Sequence, residues 1–199
     1  MRTADTESTL CIDCTAHRPF DMARAAGCYE YPLKEVIYRF KFAGDVSLSA
    51  PLGMLMSWRL LELIAASCSY PDVIVPVPLH PSRLKHRGFN QAECLALAVS
   101  REWGGIPVLK VLRRHRPTQA QKQLGRDERL CNLAGAFSVV KPRLFWGRNV
   151  LLVDDVITTG TTVEACAEVL KKAGAARVDV LAAAAVPAIS AVVLRSALS

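Results

Sequence analysis

Residues 149–185, NVLLVDDVITTGTTVEACAEVLKKAGAARVDVLAAAA, constrain the fold more than any other part of the chain. An apolar run, a helical pattern and a second apolar run follow one another. Near-continuous Val, Leu and Ala, without alternation, marks strands buried on both faces, as in a parallel sheet covered by helices. The helix between them has Thr161 or Thr162 near its N-cap and Gly174 at its C′ position. DVIVPV, PVLKVL and GAFSV give three further strand candidates. LSAPLGMLMSWRLLELIAAS reads as a long, mostly buried helix, and FNQAECLALAVSREWGG as a helix closed by glycine. In PLKEVIYRFKFAG, Leu33, Val36, Ile37 and Phe40 recur at helical spacing, with Gly44 as the stop. Residues 1–30 lack periodicity and read as irregular.

A chain of 199 residues fits one domain with a small appendage. The expected division is a segment over 1–28, an α/β domain over 29–190 and a tail over 191–199. Eleven of the 25 Lys and Arg but only four of the 18 Asp and Glu lie between Arg83 and Arg129, so the whole net charge of +7 sits in one segment. An anionic partner follows, either nucleic acid or a phosphorylated small molecule. Seven cysteines, an odd number without a secretory signal, argue against a disulfide framework. The apolar stretch 180–194 contains Pro187 and is short for a membrane span. A soluble, cytoplasmic protein is expected.

Ligands of open parallel sheets bind beyond the carboxyl ends of the strands. Asp154 and Asp155 fall there, and the loop that follows enters a helix whose first amides are unpaired and carry partial positive charge. A phosphate suits that position. Gly160 allows close backbone approach, and the hydroxyls of Thr158, Thr159, Thr161 and Thr162 can donate to phosphate oxygens. Ionised carboxylates only accept, so the acid pair suits a vicinal diol such as a ribose. A Walker-type nucleotide site would need G-x-x-x-x-G-K-[ST], and a dinucleotide site G-x-G-x-x-G; the chain contains neither.

VLLVDDVITTGTT resembles the phosphoribosyl pyrophosphate (PRPP) signature of type I phosphoribosyltransferases. That likeness implies a parallel sheet flanked by helices, Asp154 and Asp155 on the ribose hydroxyls, and Thr158, Thr159, Gly160, Thr161 and Thr162 on the 5′-phosphate. VPVPLHPSRLKHRGFNQAE and RRHRPTQAQKQLGRDERLCNLAGAF narrow the resemblance, over residues 20–186, to the ComF family of competence proteins. Within the first stretch, PLHPSRLKHRGFNQ then corresponds to a pyrophosphate loop with Leu79, His80, Arg83, Lys85 and Arg87. Within the second, RPTQAQKQLGRDER corresponds to a flexible loop that brings Arg116, Lys122 and Arg126 to bound PRPP. The likeness implies Mg²⁺ travelling with PRPP, and PRPP or a nucleoside 5′-monophosphate as ligand. It also implies a link to DNA uptake, with single-stranded DNA and competence-machinery proteins as partners.

Two roles stay open. One is a transferase moving phosphoribose to an unidentified nucleophile; the other is a non-catalytic PRPP sensor or DNA-handling factor. A PRPP-sensing transcriptional regulator would need a DNA-reading element, and residues 1–70 show no helix-turn-helix pattern. Cys11 and Cys14, in CIDC, have the spacing of half a zinc site, and the resemblance implies an N-terminal zinc finger whose first pair is missing here. His17 and Cys28 are possible substitute ligands, although Cys28 also reads as a buried strand residue. Cys68, Cys94, Cys131 and Cys166 read as core.

Overall fold

The computed structural model describes residues 18–116 and 135–186. A four-stranded parallel sheet forms the centre, with β1 (Met22–Cys28), β2 (Val73–Pro76), β5 (Asn149–Ile157) and β6 (Arg177–Ala185) in the order β1-β6-β5-β2. The two strands expected from residues 149–185 are its middle pair, in register from Asn149 opposite Arg177 to Ile157 opposite Ala185. Leu151, Leu152, Val180 and Leu181 are fully buried, since both faces of this pair are covered. Burial of each such side chain contributes about 1.5–3 kcal/mol.

Two apolar layers follow from strand alternation. Val150 and Leu152 face α5 (Thr161–Lys172), whose Val163, Cys166, Ala167 and Leu170 complete that side. Leu151 and Val153 face the other layer, built by α2 (Ser49–Ser67) and α4 (Gln91–Glu102). The two helices cross tightly at Gly53, where a Cβ would lie 2.4 Å from the Cβ of Ala98. Before α2 come α1 (Leu33–Tyr38) and a wide turn with π-type bonding, Arg39–Ala43, stopped by Gly44 in the left-handed region. By length and composition Val46–Ser67 would also pass as a membrane-crossing helix. Its Leu52, Met56, Leu60 and Leu63 are nevertheless buried in the α2–α4 layer.

Several expectations are corrected. Residues 22–28 are a strand, not irregular chain; β1 pairs with β6 from Met22 opposite Asp179 to Cys28 opposite Ala185. The sheet therefore begins before the expected boundary at residue 28. Cys28 ends this strand exposed, and Cys68 lies exposed in a left-handed cap of α2, so neither is core. Cys94 is half-buried, and Cys166 is buried. The long helix α2 is not mostly buried, because Met54, Leu55, Trp58 and Leu61 point outward.

The run PVLKVL splits. Val108 makes a single parallel bridge to Ile74, and β3 starts only at Leu112. β3 (Leu112–Arg114) and β4 (Phe137–Val139) form a separate antiparallel pair, where a parallel sheet was expected throughout. The basic loop after β2 is a short helix, α3 (Pro81–Arg87). Pro81 opens it, the His80 imidazole accepts from the Ser82 amide, and Gly88 closes it in the left-handed region.

Candidate functional site

Strand lengths create the site. β2 ends at Pro76 opposite Val153, and the Val77 amide donates to the Val153 carbonyl at 2.9 Å. β5 runs on to Ile157, still paired with β6 on its other edge. The acids thus lie inside the strand, not after it as expected, on the part of β5 that β2 no longer covers. That is the crevice at the carboxyl end of a parallel sheet where ligands bind.

Period-two alternation sends the two carboxylates to opposite faces. Asp155 lies on the α2–α4 side, where Lys41 Nζ meets its Oδ1 at 3.0 Å. Asp154 lies on the α5 side, near Arg114 of β3 and the thiol of Cys166. Its Oδ1 accepts from the Asp155 amide at 2.8 Å. Burial and the neighbouring Asp155 charge push the Asp154 carboxyl up to about 7, against weaker opposition from that hydrogen bond, Lys41 and Arg114. Burial, followed by Asp154, raises the Cys166 thiol well above its ordinary value, so it stays neutral. Burial also lowers Arg114 and Arg87, each with Arg83 as a like-charged neighbour. Asp154 opposes the shift at Arg114 and Asp155 the one at Arg87. Two acids of the strand and four cations of three other segments therefore share one field.

The threonine loop forms the floor. Asp154, Thr158, Thr159, Gly160 and Thr162 line a small solvent-open hollow together with Val156, Ile157 and Val163. Gly160 caps α5 with φ of +83°, a left-handed conformation that disfavours any Cβ. A Cβ there would also stand 3.1 Å from the Arg18 guanidinium. Arg18 Nη1 pairs with Glu164 Oε1 at 3.2 Å, which ties the chain before β1 to the first turn of α5. Thr161 is buried and shares a hydroxyl hydrogen bond of 2.9 Å with Thr159.

The loop after β2 is held to the same crevice. Asn90 caps α4 through the Ala92 amide and donates to the Val77 carbonyl at 3.0 Å. Arg87 donates to Gln91 Oε1 at 2.7 Å. Among the anticipated site residues, Asp154, Thr158, Thr159, Gly160 and Thr162 line one hollow, and Asp155 adjoins it on β5. Arg83 and Arg87 fall within electrostatic reach of the cluster. Leu79 and His80 lie half-buried before α3, and Lys85 is exposed on it. Arg116 is exposed after β3, whereas Lys122, Arg126, Cys11, Cys14, His17 and Cys131 lie outside the described residues.

Sequence reasoning missed Lys41, Arg18 and the site position of Arg114. The signal for Lys41 was a cation between two phenylalanines in RFKFAG, just before the helix stop. Among the described residues no group of three or more His, Cys, Asp and Glu side chains could hold a metal ion.

Residues 107–193 match the phosphoribosyl transferase domain model. Competence protein F of Haemophilus influenzae is 36% identical over 174 residues, covering 85% of this chain and 76% of that protein. The chain belongs to the ComF family. DNA utilization protein YhgH of Escherichia coli K12 is 33% identical over 90% of the chain and 85% of its own length. Competence protein ComFC of Streptococcus pneumoniae is 32% identical over 84% and 71%. A purine phosphoribosyltransferase from Pyrococcus horikoshii aligns with a TM-score of 0.40 and 21% identity, over 65% of this chain and 68% of that one. The fold is that of the type I phosphoribosyltransferases, and the family is that of the competence and DNA-utilization proteins.

Proposed function

We propose that this ComF-family protein binds PRPP in the crevice at the end of β5 and transfers its phosphoribosyl group to a nucleophile. The observation that carries the reading is the juxtaposition of the Asp154 carboxyl with the Gly160 loop around one open hollow. Asp154 and Asp155 accept from the ribose hydroxyls, while the amides and hydroxyls of residues 158–162 donate to the 5′-phosphate. Arg83 and Arg87 face the pyrophosphate from the β2 side. Arg116, Lys122 and Arg126 supply counter-charge to it. The bond from the anomeric carbon to pyrophosphate breaks as the nucleophile's bond forms, so positioning and stabilisation of the leaving group supply the rate.

The Asp154 carboxyl in a hollow open to solvent fits a magnesium ion held mainly by the ligand's phosphates and water. Bound there, Mg²⁺ would supply charge neutralisation and Lewis acidity to the leaving group. Zinc at Cys11 and Cys14, a cytoplasmic location and contact with the membrane through partners belong to the same proposal.

Calorimetry with PRPP and Mg²⁺ should give a clear binding heat in the wild type and none in Asp154→Ala/Asp155→Ala. Equal heats would overturn the site. Pyrophosphate release with candidate bases and amines then separates transferase from sensor. Binding without release for any acceptor favours the non-catalytic reading, for which the segregated positive charge between Arg83 and Arg129 is the supporting observation.

Lys41 provides a second check. Two carboxylates beside an anionic ligand repel it, and Lys41 neutralises one of them at 3.0 Å with little solvent around the pair. Lys41→Met should weaken PRPP binding about tenfold, roughly 1.4 kcal/mol. Lys41→Arg should recover most of it, because the charge is what matters.

A further inference from the structure

We infer that Arg18 and Glu164 form a charge couple behind the threonine loop that tunes how tightly the loop holds a 5′-phosphate. Glu164 attenuates that binding, and Arg18 offsets Glu164. The inference rests on the PRPP reading and adds two positioning residues to that site. Glu164 is buried in the first turn of α5, and its Oε1 would lie 3.5 Å from a Cβ at Gly160. Arg18 Nη1 lies closer to that point, at 3.1 Å. The glycine's missing side chain is what lets both charges reach the backbone of the loop. Neither residue lines the hollow, so each acts on a guest through the loop and not by touching it.

Arg18 is held there by a short strap fixed at both ends. Residues 18–21 run alongside α5. Arg18 Nη1 pairs with Glu164 Oε1 at 3.2 Å, and Asp21 Oδ2 pairs with Lys171 Nζ at 2.7 Å, about two helical turns further on. The Asp21 amide also donates to the Val178 carbonyl at 2.8 Å, which ties the strap to β6. Between the ends, the Arg18 guanidinium sits 5.6 Å from the Phe20 ring centroid, and Phe20 packs on the apolar layer that includes α5. The Arg18 side chain is 13% exposed and that of Glu164 7%, so little water screens the pair. Arg18 Nε is buried with no hydrogen-bond partner among the described residues, so the fork has donors beyond the one that meets Glu164. Residues 158–162 are themselves uncharged. An acid in the first turn of a helix competes with a phosphate for the positive end of its dipole. The guanidinium beside that acid cancels most of the competition at short range. An affinity held down in this way lets a phosphorylated ligand leave.

The test titrates the full-length chain with PRPP and Mg²⁺, with ribose 5-phosphate and with inorganic pyrophosphate, read by calorimetry. Glu164→Gln should bind PRPP and ribose 5-phosphate about three- to tenfold more tightly, and Arg18→Gln about tenfold more weakly. Pyrophosphate affinity should move less than about twofold in either, because the effect falls with distance from the loop. Arg18→Gln/Glu164→Gln should return close to wild type, and Arg18→Lys should keep the wild-type affinity, since the charge is what matters. A pair that only braces the fold would lose affinity whichever partner is removed. Ribose 5-phosphate binding that is weaker or unchanged in Glu164→Gln therefore overturns the couple. If Arg18→Gln fails to fold because a buried acid has lost that cation, Glu164→Gln and the double variant carry the same test. PRPP heat in the wild type that Glu164→Gln leaves unaltered sinks the charge couple alone. No PRPP heat in the wild type sinks the PRPP reading, and this inference with it.

Discussion

Asp154→Asn is expected to raise the stability of this protein at pH 8 by about 2–4 kcal/mol while weakening PRPP binding about tenfold or more. The sign follows from the carboxyl's displacement. Its folded value lies at about 7, against 3.8 for the unfolded chain. Folding therefore favours the protonated form, and this group's contribution is fully favourable below pH 3.8. It is lost progressively as pH rises and is gone above 7. Each pH unit between those values costs about 1.4 kcal/mol, discounted here because the site touches solvent. Asparagine never ionises, and its carbonyl oxygen can still accept from the Asp155 amide. Urea denaturation from pH 4 to pH 8 should show the variant gaining on wild type across that interval, with the two converging at the acid end. A constant difference across the range would refute burial as the cause. The ligand effect runs the opposite way, because the ionised acceptor proposed for a ribose hydroxyl has gone.

The second large effect lies away from the chemistry. A Cβ at Gly53 would stand 2.4 Å from the Cβ of Ala98 and 3.2 Å from its carbonyl carbon, so helix α4 must retreat from α2. Overpacking of this kind costs typically 1–3 kcal/mol, and Gly53→Val should sit at the upper end or beyond. In a domain of this size about 3 kcal/mol lowers Tm by roughly 6–12 °C. The consequence reaches the site, because α2 follows the Lys41 turn and α4 follows the Arg87 helix. Calorimetry on Gly53→Ala, the milder change, should show weaker PRPP binding alongside reduced stability. Ala98→Gly in the same chain should restore both. Loss without restoration would mean that the crossing does not set the spacing of the two segments.

What could be read from the chain was what is local. Residues 149–185 carry strand, loop, helix and strand within one continuous stretch, so their apolar runs and their glycine at 160 speak for themselves. β1 escaped notice because MARAAGC holds small residues and an arginine, poor strand formers in isolation. Its strand state comes from pairing with β6, more than 150 residues later. α3 has seven residues with no buried face, and periodicity has nothing to report from such a helix. The antiparallel pairing of β3 with β4 joins segments too far apart in sequence for a short hairpin loop to announce it. Lys41 illustrates the limit most clearly. Its charge was visible, but the carboxylate it meets lies 114 positions away in sequence and only 3.0 Å away in space.

The early end of β2 has an implication for how this pocket can change over time. A cleft bounded by one strand outrunning its neighbour is a property of backbone architecture, and it survives replacement of every side chain along its walls. Descendants of such a protein can change what the cleft binds without closing the opening. Drift in the lining then rewrites the task, while the opening itself is inherited.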